Sequence, residues 1–290
     1  MRVATYNIHR CQGTDGRRDV GRVAAVIEEL GADVIGLQEV DSRPVSGTRD
    51  QAQVIAARLG MDVLEGPLMH EPGGHYGNAL LSRLPLELVG RGVFAPGGFE
   101  PRGWLHAAVA DGGPDPWHVV VTHLDLVARH RSRQLVELAR HVAGLPPAPA
   151  LLMGDLNEWR PWARNLVRLA RTVRLAPARK SFPSRQPMLA LDRIALKGCR
   201  LTHGPVVHRS PLARAASDHL PVWQPWRPYH EEIIPDSAEG ELSFEVLGPD
   251  FLIGIYVLEF LVVDPWAGMS LPPSRLPRAG PNTAVFELTP

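Results

Sequence analysis

The stretch ALLMGDLNEW, residues 150–159, joins an apolar run to two polar side chains that stand two positions apart. Residues 150–153 have the length and apolarity of a buried strand. Gly154 follows, and Asp155 and Asn157 would point to the same side of an extended chain. Because Gly, Asp and Asn are also common turn formers, a surface turn is the simplest interpretation of this stretch alone.

Polar side chains of the same kind lie at the ends of other apolar runs. They are Asn7 in VATYNIH, Gln38 and Glu39 in DVIGLQEV and His123 in HVVVTHL. Asp218 and His219 in SDHLPV stand just before a strand-like run, and Asp192 in LALDRIAL lies inside one. Loops at one rim of a rigid sheet scaffold commonly carry reactive groups. The repetition therefore favours one shared site over a set of independent turns.

Short β-branched runs alternate with helical stripes along the chain. Apolar spacing that stops at a glycine predicts helices over 20–31 and 50–60, and similar spacing predicts helices over 131–144 and near 160–171. Many of the strand-like runs are apolar throughout. This pattern favours helices packed outside two sheets.

The two parts of the 290-residue chain differ in net charge and in composition. Residues 1–224 hold 28 Lys+Arg and 21 Asp+Glu, whereas residues 225–290 hold 3 and 10. A mildly basic body suits an anionic substrate. The acidic, then Pro/Gly-rich extension contains FLIGIYVLEFLVV, residues 251–263, which is shorter than a membrane-spanning helix. We expect a buried strand or hairpin there, with a peripheral membrane contact or an interface as the alternative.

Few sequence features bear on location or assembly. Cys11 and Cys199 match neither a disulfide framework nor a metal-ligand spacing, which suits a reducing compartment. No leader-like pattern opens MRVATYNIH, and no stretch is long enough for a transmembrane segment, so we expect a cytoplasmic protein. The sequence gives no indication of the oligomeric state.

The polar set is suited to metal-assisted phosphate chemistry. Carboxylate and amide oxygens are the ligands that Mg²⁺ or Mn²⁺ prefers. A bound cation offsets the charge of a phosphate, while an imidazolium stabilises developing charge. His219, beside an acid and with Asp192 to orient it, repeats the base-and-orienter arrangement of other hydrolases. The oxygen donors are Asn7, Glu39, Asp155, Asn157 and Asp218.

Taken together and in this order, seven blocks resemble the endonuclease/exonuclease/phosphatase superfamily of Mg²⁺-dependent phosphoesterases. The blocks are TYNIH, GLQEV, YGNALLSR, VTHLDL, GDLNEW, LDRI and SDHLPV. The resemblance implies an α/β (α+β) fold, a four-layer α-β-β-α sandwich with two central mixed sheets. It also implies a catalytic domain over residues 1–224 and leaves residues 225–290 as an extension of unknown role.

The resemblance further implies roles for the matched side chains. Glu39 and Asn7 would hold the Mg²⁺ ion, which Mn²⁺ could replace, and Asp218 would assist. Asp155 would position and activate the attacking water, and Asn157 would hold the phosphate or the metal beside it.

For the second half of the site the resemblance implies acid–base and binding roles. His219 would contact the scissile phosphate as acid/base or charge stabiliser, oriented by Asp192. His123 resembles the second histidine of the nuclease and sphingomyelinase branches. Tyr76 and Asn78 would line the opposite side of the rim.

Departures from the better-known branches narrow the resemblance. His9 stands where apurinic endonucleases carry an acid, and Met153 replaces a tryptophan of inositol polyphosphate phosphatases. The chain therefore resembles small bacterial hydrolases near the sphingomyelinase-like and deoxyribonuclease-like members. We expect a phosphodiesterase acting on a small or lipid-like anionic phosphoester. A nuclease acting on nucleic acid is the alternative, and a catalytically silent anion-binding module is a more remote one.

Two basic features have both ordinary and functional interpretations. Arg102, in FEPRGWLHA, is a candidate phosphate contact or a plain surface arginine. Residues 159–191 hold eight basic side chains and no acid, and the spacing of Arg164, Arg168 and Arg171 places them on one helical face. A solvated face is the simple interpretation. The alternative is a basic wall beside Asp155 that attracts a polyanion or an anionic lipid surface.

Overall fold

The computed structural model of this chain describes residues 1–43, 50–95, 100–199 and 203–227, with the backbone of 244–245 and 283–284. The chain divides into two compact units, Met1–Glu231 and Glu232–Pro290. In the second unit, Phe244–Glu245 pairs antiparallel with Thr283–Ala284. The strand or hairpin expected at 251–263 lies outside the described residues, and the domain boundary expected at residue 224 stays a prediction.

The first unit contains two six-stranded mixed sheets. The first has the spatial order β11 (Val206–Val207), β12 (Val222–Pro225), β1 (Arg2–Asn7), β2 (Val34–Asp41), β4 (Gly74–Ser82), β3 (Asp62–Glu71). The second has the order β5 (Leu86–Val93), β6 (Gly103–Val109), β7 (Trp117–His123), β8 (Ala150–Asp155), β10 (Asp192–Lys197), β9 (Arg174–Leu175). β1 runs parallel to β2 and β7 runs parallel to β8, whereas the other pairs are antiparallel.

Helices cover the outer face of each sheet. Helices α1 (Val20–Leu30), α2 (Gln51–Leu59) and α5 (Pro211–Ala216) pack on the first sheet, and α3 (Ala128–Ala143) and α4 (Arg164–Leu169) pack on the second. The Asp19 carboxylate caps α1 by accepting from the Arg22 backbone N–H, and Gly31 ends it with a left-handed φ of 58°. Within the described ranges, no helix is long and apolar enough to cross a membrane.

Helix α4 is shorter than the helix expected near 160–171. Pro161 disfavours helical geometry at Arg160, and the helix begins only at Arg164. Arg171 therefore follows the helix instead of lying on it. Its side chain nevertheless lines the same hollow as Arg164 and Arg168.

Successive side chains of a strand point to opposite faces of its sheet, so the buried apolar residues form three separate layers. In β7, Val119 and Val121 face the core between the sheets, whereas Val120 faces helices α3 and α4. Gly36 in β2 brings the sheets close together, because a Cβ there would lie 2.9 Å from Val121. The expected four-layer sandwich is confirmed.

The two parallel strand pairs place their carboxyl ends at one rim of the sandwich. Asn7 lies opposite Gln38 in the first sheet, and His123 lies opposite Asp155 in the second. Because β10 runs antiparallel to β8, its first residue, Asp192, lies opposite Asp155. The topology thus gathers polar residues from distant parts of the chain.

Gly154 lies inside β8, where strand spacing leaves no room for a side chain. A Cβ there would lie 1.9 Å from the Thr122 carbonyl oxygen of β7. We expect Gly154→Ala to destabilise the protein by about 2 kcal/mol or more, measured by urea unfolding. Gly144→Ala is the control, because its Cβ would meet nothing closer than 3.6 Å. Equal stability of the two variants would contradict the close approach of β7 and β8.

Candidate functional site

The side-chain amide of Asn7 joins carboxylates from both sheets. Its Nδ2 donates to Glu39 Oε1 at 3.2 Å and to Asp155 Oδ2 at 3.1 Å. An irregularity in the β2–β4 pairing between Leu37 and Val40 places Glu39 at a φ of 58°, which turns its side chain to the rim. Three residues expected in the site from the sequence therefore meet at one point.

Asp155 and Asn157 share the rim with His123, as expected, but a turn produces the arrangement. Asp155 Oδ1 accepts from the Asn157 backbone N–H at 2.8 Å, and Asn157 has a φ of 49°. The extended chain assumed from the sequence is therefore wrong at this position. The Asn157 amide donates to the Leu124 carbonyl oxygen at 2.8 Å and lies 3.2 Å from His123 Nε2.

His219 is held between two buried carboxylates. Its Nδ1 lies 2.9 Å from Asp192 Oδ2, and its Nε2 lies 3.6 Å from Asp155 Oδ2. Burial alone lowers the pKa of His219, but Asp192 and Asp155 outweigh burial and raise the pKa to about 10. The ring is therefore an imidazolium at neutral pH. Ser181 donates to the same Asp192 oxygen at 2.5 Å.

Asp155 and His123 complete this group. In contrast to His219, burial sets the direction of the pKa shift of both. Burial raises the pKa of the Asp155 carboxyl to about 6, although the His219 charge opposes that rise. Burial, followed by the charges of Arg102 and His219, places the pKa of His123 well below its usual range. Arg102 donates to His123 Nδ1 at 3.0 Å, which leaves the proton of the neutral ring on Nε2, 3.5 Å from Asp155 Oδ2.

Glu100 organises the side of the rim next to His123. Its carboxylate accepts from Arg10 at 2.6 Å, pairs with Arg102 at 3.1 Å, and lies 3.4 Å from the Tyr76 hydroxyl. Arg10 also stacks over the Tyr76 ring at 5.1 Å. Arg102 and Tyr76 were expected at the rim, whereas Arg10 and Glu100 were not. Glu100 stands two residues before Arg102 in the same short block, which is the only local signal it carries.

Asn78 and Asp218 lie at two margins of the site. Asn78 Nδ2 donates to the Gly103 carbonyl oxygen at 3.4 Å, and among the described residues no group bonds to its buried Oδ1. Asp218 Oδ1 lies 3.7 Å from His9 Nδ1. Ser217, another residue that the sequence did not single out, links Asp218 to the site. Its hydroxyl donates to the Asn7 carbonyl oxygen at 2.7 Å and accepts from the His219 backbone N–H at 3.2 Å.

The donor set fits a divalent cation of the Mg²⁺ type. Glu39 and Asp155 direct carboxylate oxygens at the same amide, and the burial that raises the Asp155 pKa would be offset by a nearby cation. Ligand atoms of Asp155, Asp192 and His219 also lie within 4.8 Å of one another. Because Asp192 Oδ2 and His219 Nδ1 already bond to each other, this second group is better suited to holding protons than to holding a metal.

Two mixed sheets between helices, with carboxylates, amides and two histidines at one rim, define an α-β-β-α sandwich with a polar site. The model of the Endonuclease/Exonuclease/phosphatase family matches residues 4–219, and the chain belongs to this family. Members of the family are hydrolases that act on phosphoester bonds.

Individual relatives agree with this assignment. The uncharacterized protein YbhP of Escherichia coli (strain K12) is 32% identical over 240 residues, which cover 77% of this chain and 94% of YbhP. The endonuclease/exonuclease/phosphatase from Beutenbergia cavernae DSM 12333 is 28% identical, with a TM-score of 0.59 over 77% of this chain and 70% of that one. The mannosyl-6-phosphatase of Bacteroides thetaiotaomicron VPI-5482 is 19% identical, with a TM-score of 0.56 over 77% and 98%, and shows the fold alone.

The charge of His219 should depend on Asp192. We expect Asp192→Asn to lower the His219 pKa from about 10 towards its ordinary range, because Asp192 is the largest of the charges that raise this pKa against burial. Histidine ¹⁵N NMR titration in EDTA measures this pKa. Asp125→Asn, which removes a buried carboxylate 3.4 Å from His130, is the control and should leave His219 unchanged. An unchanged His219 pKa in Asp192→Asn would contradict the assigned charge state.

Proposed function

We propose that the chain hydrolyses a phosphodiester bond of a small or lipid-like substrate, with Mg²⁺ or Mn²⁺ as cofactor. One observation carries the proposal: Asp155 Oδ2 lies 3.6 Å from His219 Nε2 and 3.5 Å from His123 Nε2, beside the Asn7–Glu39 pair. Membership of a family of phosphoester hydrolases supports the reaction class. The cytoplasmic location stays a prediction from the amino-terminal sequence.

Glu39 and Asn7 would hold the cation, and Asp218 would assist from the margin. Asn7 Oδ1 accepts from the His9 backbone N–H at 3.0 Å, so the amide would turn to bring this oxygen to the cation in place of Nδ2. When bound, the cation would offset phosphate charge and act as a Lewis acid at a phosphate oxygen. In the described part of the chain, the Asn7 amide donates to two carboxylates, those of Glu39 and Asp155, and not to that of Asp218. The loss of Glu39 should therefore weaken cation binding more than the loss of Asp218.

The chain's own groups provide a path for the proton. Asp155 would orient the attacking water and accept its proton, and Asn157 would hold a phosphate oxygen. The His219 imidazolium would stabilise charge on the phosphate or protonate the leaving oxygen. Asp192 would keep that ring charged and oriented, since the two groups are 2.9 Å apart.

The opposite side of the rim would bind the remaining phosphate charge. Burial, with the Arg102 charge adding to it, holds His123 neutral, and Arg102 presents a guanidinium beside the site. Glu100 fixes both Arg102 and Arg10, so two cationic side chains keep defined positions. Tyr76 and the unbonded Oδ1 of Asn78 would contribute polar contacts to the substrate.

A nuclease is the second candidate, because eight basic side chains lie between residues 159 and 191 without an acid. Such an enzyme would bind nucleic acid with an affinity that falls steeply with salt. Affinity for duplex and single-stranded oligonucleotides that is absent or indifferent to salt would favour the small or lipid-like substrate. A silent anion-binding module would bind phosphoesters without hydrolysing them.

Hydrolysis of bis(4-nitrophenyl) phosphate tests the reaction class without assuming the natural substrate. We expect turnover with Mg²⁺ or Mn²⁺, none in EDTA, and a loss of kcat of about 10³-fold or more in Asp155→Asn. Glu39→Gln should mainly raise the Mg²⁺ concentration needed for half-maximal rate. Asp111→Asn, at a partly exposed loop acid, is the control and should retain full activity. Turnover that survives EDTA or Asp155→Asn would refute the proposed mechanism.

A further inference from the structure

The loops that follow β7 and β8 expose large apolar side chains. Leu126 is 73% exposed and Trp162 is 63% exposed, and Trp159 and Val127 are also exposed. The first loop continues from His123 and the second from Asp155, so both loops belong to the rim that carries the candidate site. Large exposed apolar side chains on neighbouring loops are candidates for a surface that binds a partner.

Arginines accompany these apolar side chains. Arg164, Arg168 and Arg171 line a hollow of about 280 Å³ together with Trp162 and the exposed Val167. In the ranges that the structure describes, no carboxylate lies within ion-pair distance of any of the three arginines. The hollow therefore combines uncompensated positive charge with apolar surface.

A second hollow, of about 350 Å³, shares Trp162 and Arg164 with the first. It contains an acid, Glu158, but Arg131 pairs with that carboxylate at 3.2 Å and Arg160 pairs with it at 2.9 Å. Because Glu158 is buried and already bonded by two guanidinium groups, it does not offset the charge of the first hollow. The arginines that line each hollow therefore outnumber its carboxylates.

We propose that this surface, the basic aromatic face, binds the anionic surface of a phospholipid bilayer. The face is formed by Leu126, Val127, Trp159, Trp162, Arg164, Arg168 and Arg171. Tryptophan side chains favour the membrane–water interface, and clustered arginines are attracted to anionic headgroups. The aliphatic side chains Leu126, Val127 and Val167 favour a bilayer over nucleic acid, since they offer no ring on which a base could stack.

Binding in this orientation would bring lipid headgroups to the catalytic rim. Trp159 follows Asp155, the last residue of β8, by four positions, so the interface would begin within about 14 Å of the reacting group along the chain. The inference that the phosphodiester belongs to a lipid rests on the proposed function. The binding itself does not, because it requires no turnover.

Vesicle co-sedimentation of the full chain in EDTA tests the binding. We expect association with vesicles of phosphatidylcholine plus phosphatidylglycerol, and little with phosphatidylcholine alone. The double variant Arg164→Glu/Arg168→Glu should lower the partition coefficient about tenfold or more, and Trp162→Ala should lower it as well. Arg209→Glu, at an exposed arginine between β11 and α5, is the matched control and should bind like the wild type.

Three results would overturn the proposal. They are no association with anionic vesicles, an equal loss in Arg209→Glu, or loss of single-stranded oligonucleotide binding in these variants without any vesicle binding. Thermal melting of each variant distinguishes a lost surface from a lost fold. Asp155→Asn separates this proposal from the proposed function, because it should bind vesicles normally even though it should hydrolyse nothing.

Discussion

The rest of the site depends on one hydrogen-bonded group, the side-chain amide of Asn7. It donates to Glu39 from its own sheet and to Asp155 from the facing sheet, so it fixes the separation of two carboxylates that would otherwise repel each other. The position requires the parallel pairing of β1 with β2 and the close packing of the sheets at Gly36. The sandwich therefore supplies distances that no local segment of the chain could provide.

Around this group, neighbouring charges give the two histidines different states. Both rings face Asp155, and burial favours the neutral form of both. The charges of Asp192 and Asp155 outweigh burial at His219, whereas the Arg102 charge adds to it at His123. The difference comes from the partner of each Nδ1, which is a carboxylate in one case and a guanidinium in the other. One fold thereby holds a proton donor and a neutral hydrogen-bonding group on either side of the same acid.

The sequence predicted much of the fold because strand and helix periodicities follow from burial. The apolar runs at β1, β2, β7 and β8 and the Gly stops after α1 and α2 lie where the patterns place them. No sequence pattern predicted strand β5, because its residues are mostly exposed and do not alternate between buried and exposed positions. The sequence predicted which residue types form the site. The bulge at Glu39, the turn at Asn157 and the contacts of Glu100, however, depend on tertiary packing. The sequence could not show them.

The central claim is that the edge formed by Asn7, Glu39 and Asp155 is the cation site, while the His219–Asp192 pair holds a proton. Anomalous diffraction from crystals soaked in Mn²⁺ tests this claim most directly. We predict a manganese peak about 2.2 Å from a Glu39 carboxylate oxygen and from Asn7 Oδ1, with the Asn7 amide turned away from the His9 backbone N–H to which Oδ1 is now bonded, and with the His219–Asp192 hydrogen bond intact. A peak bound by Asp192 and His219, with Glu39 and Asn7 left unliganded, would contradict the account.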